Sequence, residues 1–299
     1  MNTYLAIDLG GTNVRVAMAD ENGKILAMET AGSEADREGT YLVDKIVSIA
    51  SKLPGIKDCK AAGMGIPGVV DKRRKRICYL TNLPNFGGYQ TIELLEQKLG
   101  LPVYLENDAN LACLAESILG AGKGFQSVYY VTISTGIGGG YVSEGRIISG
   151  NHGFAGEIGG MRVKISPTGY YGLPAGAVEG EASGTAITRK GQAVPGLTVE
   201  HAGDVFRLAK EGDQRAKEIV GEMTEDISVM LSSISYVIDP EVFVLGGGCM
   251  KSADVFWNDL IEKYKALVPA QLRETVFVTA SLEEPGVMGA ALYAKQQVE

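Results

Sequence analysis

The sequence predicts an α/β protein with mixed sheets, built as two related halves. Three observations carry this. Apolar residues recur with period two in some stretches and with helical spacing in others, and the two kinds alternate along the chain. A unit of strand, glycine turn, strand, turn and strand occurs twice, about 126 residues apart. Finally, 40 of the 299 residues are glycine, with 10 prolines and 45% apolar residues. Collagen would need glycine at every third position and a disordered tail far fewer apolar residues, so both are excluded. The glycine belongs to turns of a folded chain and to places where backbone closes on a ligand. A chain of this length forms one or two domains, each with its own core.

In order, Tyr4–Ile7, Val14–Met18 and Lys24–Met28 read as three strands, joined at Gly10-Gly11-Thr12 and at Asp20–Gly23. Leu42, Val43, Ile46, Val47, Ala50 and Leu53 share one stripe, which predicts a helix over 40–53. A strand near 60–66, a basic hairpin turn near 71–76 and a strand near 103–106 follow. Asn107 and Asp108 read as the cap of a helix running to about Ile118.

The second half opens in the same way. Tyr129–Ile133 leads through a glycine turn into Tyr141-Val142 and then Gly145–Ile148. Laid over the start, Gly10 falls on Gly136, Val16 on Val142 and Gly23–Leu26 on Gly145–Ile148 after a four-residue deletion, an internal duplication. Residues 150–200 are glycine-rich without a period and predict loops with functional content. A long amphipathic helix over 213–237 stops at Asp239-Pro240. A buried strand Val242–Leu245, a helix over about 252–268, a strand Val276–Val278 and a last helix from Val287 complete the chain.

A net charge of −8 argues against a sequence-independent grip on nucleic acid. Cys59, Cys78, Cys113 and Cys249 form no CxxC pair, which suits a reducing compartment. No apolar run reaches the roughly 18 residues of a membrane span, and Asp8 interrupts the first apolar stretch where a signal peptide would have none. The expectation is a cytoplasmic protein with neither nucleic-acid nor membrane partners.

Asp8-Leu9-Gly10-Gly11-Thr12-Asn13 ends a strand with a carboxylate and continues into a glycine turn. Glycine lets backbone N–H groups close on phosphate oxygens, Thr12 and Asn13 add side-chain donors, and Arg15 adds positive charge. Asp8 would then face a phosphate-bound Mg²⁺. A hairpin with a glycine bulge accounts for the same residues without a ligand. Thr135, Gly136, Gly138 and Gly139 repeat the device in the other half, and two such loops suit a triphosphate. Gly246-Gly247-Gly248 lets a flat ring such as adenine lie on backbone; strand-to-helix packing is the alternative. There is no GxxxxGK[ST] loop.

The segments IDLGGTNVR, GIPGVVD, ENDAN, TISTGIGGG, AGEIGG and VLGGG occur in this order over essentially the whole chain. Together they resemble the ROK family (repressors, open reading frames and sugar kinases) of the actin/hexokinase ATPase superfamily. The resemblance implies two ribonuclease-H-like domains with an interdomain cleft, ATP and Mg²⁺ within it, and phosphoryl transfer to a sugar hydroxyl. It further implies domains at 1–117 and 118–285, with the helix 286–299 returning to the first, and homodimers are common in the family. By position, Asp108 matches the catalytic base and Asn107 a ligand of a neighbouring hydroxyl. Glu157 and Glu179 match the sugar-binding carboxylates, while Gly65, Gly68, Thr81 and Asn82 match the sugar-side loops. Glu181 is the rival of Glu179.

The chain departs from the family at two points. Gly160 stands where the family usually has a histidine, and no cysteine lies between Cys113 and Cys249, so the usual zinc loop is absent. Residues 164–177 must be held by their own packing, through Pro167, Tyr170, Tyr171 and Pro174. The basic run Lys72–Arg76 reads as a solvated hairpin turn, and His152 falls near the sugar loops. The leading expectation is an ATP-dependent kinase of a hexose or hexose derivative. The alternative is a non-catalytic sugar-binding sensor or regulator of the same family without a DNA-binding module.

Overall fold

The structure is a computed structural model and describes residues 2–73, 76–80 and 83–299, with the backbone alone at Arg76 and Tyr79. Thr81 and Asn82 therefore lie outside the described residues. The chain runs through β1 (Thr3–Leu9), β2 (Asn13–Asp20), β3 (Ile25–Gly32), α1 (Gly39–Ala50), β4 (Cys59–Ile66), β5 (Gly68–Asp71), β6 (Arg76–Leu80), α2 (Tyr89–Leu99), β7 (Val103–Asn107) and α3 (Asp108–Ile118). It continues with β8 (Ser127–Ile133), β9 (Ile137–Ser143), β10 (Arg146–Ile147), α4 (Val178–Ala182), α5 (Gly184–Gln192), α6 (Ala202–Glu211) and α7 (Gln214–Ile238). The last elements are β11 (Val242–Gly246), α8 (Ala253–Leu267), β12 (Val276–Thr279) and α9 (Pro285–Val298). Two compact units result, one of residues 1–126, 140–156 and 281–299, the other of 127–139 and 157–280.

The first unit carries a sheet of order β3-β2-β1-β4-β7. β1 and β2 pair antiparallel across the Gly10–Thr12 turn, and β4 and β7 run parallel to β1. Leu5, Ile7, Val14 and Val16 of the sheet pack with Leu42, Val43 and Ile46 of α1, all buried, because apolar residues at helical spacing meet apolar residues at strand spacing. On β4, a Cβ at Gly63 would collide with the Ala290 carbonyl of α9, and one at Gly289 would collide with the Leu111 carbonyl of α3. Glycine at both positions is what lets α9 lie directly on β4 and α3.

The second sheet has order β10-β9-β8-β11-β12, the same plan of antiparallel hairpin strands followed by parallel ones. β8 repeats the burial pattern of β1 residue for residue. α7 starts at Asp213, whose carboxylate accepts the Arg215 and Ala216 N–H groups, and ends where Asp239 turns left-handed at φ 52°.

Three sequence expectations change. β8 begins and ends 124 residues after β1, and β9 begins 124 after β2, so Gly10 corresponds to Ser134 and not to Gly136. Aligning glycines slid the repeat by two residues, a shift that leaves every side chain on its own face and is invisible to a period-two pattern. The 150–200 stretch is not all loop, since α4 and α5 fall within it. Two helices were not foreseen: α2, with Ile92 and Leu95 buried and Gly100 at its C-cap, and α6, opened by a reciprocal capping box of His201 and Asp204.

Candidate functional site

In the first unit, the sheet register sets Asp8 opposite Arg15 on β2 and Gly65 on β4. A Cβ on Gly65 would sit 3.7 Å from Asp108 Cα and 3.8 Å from Asp8 Oδ1, so the two carboxylate residues flank the same bare backbone. Arg15 Nη1 lies 3.3 Å from Asp8 Oδ2, and Arg15 Nε lies 3.1 Å from Glu284 Oε2. Burial raises the Asp8 carboxyl above its ordinary range, Arg15 opposes the rise and Glu284 adds to it. A second cation beside Asp8 is therefore electrostatically favoured, and Gly286 keeps a side chain away from it, with a Cβ there 3.4 Å from Asp8 Cγ. The Gly10–Thr12 turn is closed by Gly10 N–H donating to Asn13 O, and Thr12 O accepts Ser33 N–H.

Asp108 is the first residue of α3, and its Oδ1 accepts the Ala109 N–H at 2.8 Å. Asn107 caps that helix by accepting Asn110 N–H at 3.0 Å and donates to Gly68 O at 3.1 Å. Glu106, missed in the sequence reading, is buried at 1% exposure and accepts from Asn107 N–H, Asn110 Nδ2, Ser149 Oγ and Lys72 Nζ. Lys72 also donates to Tyr293 Oη at 2.9 Å, so the first residue of the basic run, in an exposed turn, is also a structural tie; Arg74 and Lys75 lie outside the described residues. His152 is exposed, its Nδ1 3.9 Å from Asp71 Oδ2 at the end of β5.

In the second unit, Glu179 is wedged into the turn between β8 and β9. Its Oε2 accepts the Ile137 N–H at 2.8 Å, and a Cβ on Gly159 would stand 3.2 Å from the same oxygen. A Cβ on Gly136 would collide with that oxygen outright. Burial raises the Glu179 carboxyl, opposed by the Ile137 hydrogen bond; desolvation and then the charge of Glu179 raise Glu157. The structure thus brings Glu179, Gly136 and Gly159 together, with Glu157 two residues before Gly159. Gly139 lies within β9, where a side chain would press on Ile158 Cδ1 at 2.8 Å and Tyr130 O at 3.0 Å. Gly138 is also a β9 residue.

The three consecutive glycines that begin with the last residue of β11 have separate reasons. A Cβ on Gly246 would meet Tyr130 Oη at 2.5 Å, and one on Gly247, which sits at φ 92°, would strike the Ile133 carbonyl. Gly248 instead lines a cavity of about 520 Å³, together with Thr135, Gly184, Thr185, His201 and Lys251. Of these, Gly184, Thr185, His201 and Lys251 escaped the sequence reading, although Ser183-Gly184-Thr185, a small polar triplet in which Ser183 caps α5, was a usable signal. Burial pushes the Cys249 thiol, also in the wall, up to about 11. Among the described residues no group of three or more His, Cys, Asp or Glu is placed to hold a metal ion, and no helix is long and apolar enough to cross a membrane.

Comparison with known proteins agrees with this architecture. A ROK hexokinase from Thermus thermophilus of known structure is 33% identical, with a TM-score of 0.88 over 99% of this chain and 99% of that one. A ROK family glucokinase from Streptomyces griseus, solved with glucose and AMPPNP, is 27% identical with a TM-score of 0.80 over 99% and 100%. An N-acetyl-D-glucosamine kinase from Vibrio cholerae is 30% identical over 310 residues, 96% of this chain and 98% of that one. The profile of the ROK family matches residues 4–297, and the chain belongs to that family.

Proposed function

We propose that the protein transfers the γ-phosphoryl group of ATP to a hydroxyl of a hexose or hexose derivative. The observation that carries the reading is the pair of carboxylates Asp8 and Asp108 on either side of Gly65, one beside a glycine turn and the other at a helix N-terminus. Membership of a family whose relatives are named as sugar kinases supports it.

In this reading Asp108 accepts the proton of the sugar hydroxyl as that oxygen attacks the γ-phosphorus, and the bond to the β-phosphate oxygen breaks in line. Asn107, with one amide proton and one lone pair beyond its hydrogen bonds to Gly68 and Asn110, orients a neighbouring hydroxyl. Glu157 and Glu179 accept from further hydroxyls, and Gly65 and Gly68 keep the sugar side of the first unit. The Gly10–Asn13 turn with Arg15, and Thr135, Gly136, Gly138 and Gly139, take the phosphates, while Gly248 and the 520 Å³ cavity take the nucleoside. Asp8 would hold Mg²⁺ through the phosphates; the desolvated carboxylate fits a divalent cation, which would neutralise charge on the β- and γ-phosphates.

A Cβ on Gly160 would have nothing within 4 Å. That space beside the Glu157 turn is why substituted hexoses belong in the substrate panel. The test is ADP release with ATP and Mg²⁺ across glucose, mannose, N-acetylated hexosamines and glucosides, with the phosphorylated sugar identified by mass spectrometry. ATP left intact throughout the panel, or phosphate released only to water, would overturn the reading.

A further inference from the structure

Residues 161–177 join the turn that carries Glu157 to the helix that carries Glu179, with almost no regular structure of their own. Backbone bonds draw the ends together: Val163 N–H donates to Gly176 O at 2.9 Å and Val178 N–H to Met161 O at 2.8 Å. The Arg189 guanidinium lies 3.3 Å over the Tyr170 ring and donates to Gly180 O at 2.7 Å. None of these bonds involves the Glu179 side chain. α4 has only five residues and no side-chain cap, so beyond the backbone ties at Val178 and Gly180 its rotation about its own axis is set by its side chains.

Two of them do this from opposite sides. Residues two apart on a helix differ by roughly 200° in direction. Glu179 faces the 136–137 turn, where it takes the Ile137 N–H. Glu181 is 6% exposed and faces the other way, with Oε2 3.4 Å from Lys164 Nζ. Lys164 in turn donates to Asp226 Oδ2 at 2.6 Å, on the long helix α7, where Asp226 is 3% exposed. Lys190 stands 4.0 Å from the same Glu181 oxygen and is itself paired with Glu222 at 2.7 Å. Burial alone would pull Lys164 down, but its hydrogen bond to Asp226 and the charges of Asp226 and Glu181 outweigh that and push it up, so the ammonium stays charged.

We propose that Lys164 is a positioning residue: by tying Glu181 of α4 to Asp226 of α7 it fixes the rotation of α4, and so holds the Glu179 carboxylate against the Ile137 turn for the substrate. The role of Glu179 toward substrate rests on the function proposed above; the locking of the Glu179–Ile137 bond does not.

The experiment is Lys164→Met beside Lys164→Arg, read by amide hydrogen exchange and by steady-state kinetics. In Lys164→Met the Ile137 amide exchanges about tenfold faster or more while Val244 in β11 keeps its protection. KM for the sugar rises about tenfold, and Lys164→Arg restores both readings. Unchanged Ile137 exchange and sugar KM in a folded Lys164→Met protein would overturn the inference. So would a uniform rise in exchange across the second unit, the mark of general loosening. If Lys164→Met does not fold, Glu181→Gln, which keeps the side chain and drops its charge, decides by the same readings and in the same direction. A wild-type protein inactive on every sugar would remove the kinase reading alone, because Ile137 exchange would still decide this one.

Discussion

The Oε2 atom of Glu179 sits 2.8 Å from the Ile137 nitrogen, directly over the spot where any residue but glycine at 136 would place its Cβ. A carboxylate that approaches backbone this closely is fixed by the absence of a side chain. Gly136→Ala should therefore displace Glu179 and lower kcat/KM for the sugar by about tenfold or more, equivalent to about 1.4 kcal/mol of transition-state stabilisation. Gly160→Ala, which meets nothing within 4 Å, should leave thermal stability unchanged. Equal effects of the two variants in parallel kinetics and melting curves would contradict the geometry.

Asp108→Asn keeps the size of the side chain and its capacity to accept the Ala109 N–H while removing its basicity. We expect kcat to fall by about 10²–10⁴, the range of general-base contributions, with sugar binding by calorimetry nearly unchanged. Retained turnover would place the base elsewhere.

The raised carboxyls of Glu157 and Glu179 have a consequence for stability against pH. The folded chain holds these protons more tightly than the unfolded chain does. The stability linked to them is complete below the ordinary Glu value of 4.5 and is lost as pH rises through the raised folded values. Above those raised values each carboxylate is ionised in surroundings that disfavour the charge. Glu179→Gln should thus be at least as stable as wild type at pH 7–8, with the difference closing as pH falls toward 4.5. Thermal melts across that range check it, and a variant less stable than wild type at pH 8 would count against it.

Glu106 is buried with four donors around it, and Glu106→Ala leaves all four without their acceptor. The loss should be about 3 kcal/mol in chemical denaturation. Lys72→Met should also destabilise, because it leaves the Glu106 carboxylate, 1% exposed, without its cation.

Gly63→Ala and Gly289→Ala both force α9 off its bed, because each Cβ would strike a carbonyl of rigid backbone and not the end of a flexible side chain. We expect each to cost about 1–3 kcal/mol or more, seen as a lower denaturation midpoint, and the pair to be less than additive because one shift of α9 relieves both.

Much of this was legible in the amino-acid order. Asp8 and Asp108 were legible from the residues, since a carboxylate beside a glycine turn or at a helix cap is a local arrangement, whereas Glu179 and the base role of Asp108 came only from the family resemblance. Lys72 with Glu106 and Tyr293, and Lys164 with Glu181 and Asp226, were not legible. Their partners lie on separate elements, and no spacing announces a contact made only when those elements pack. The helices α2 and α6 stand in between: Gly100 and the His201–Asp204 box were local signals that the reading passed over.

The sequence by itself determined the α/β class, the duplicated strand plan, and the positions where backbone must come close to something. It could not say to what. Gly246 and Gly247 serve packing against Tyr130 and Ile133, whereas Gly248 opens on a cavity; Gly136 makes room for Glu179, whereas Gly160 faces open space. A glycine records that a Cβ is missing, and only the three-dimensional surroundings of that missing atom decide whether its place is taken by a carbonyl, a carboxylate or free space.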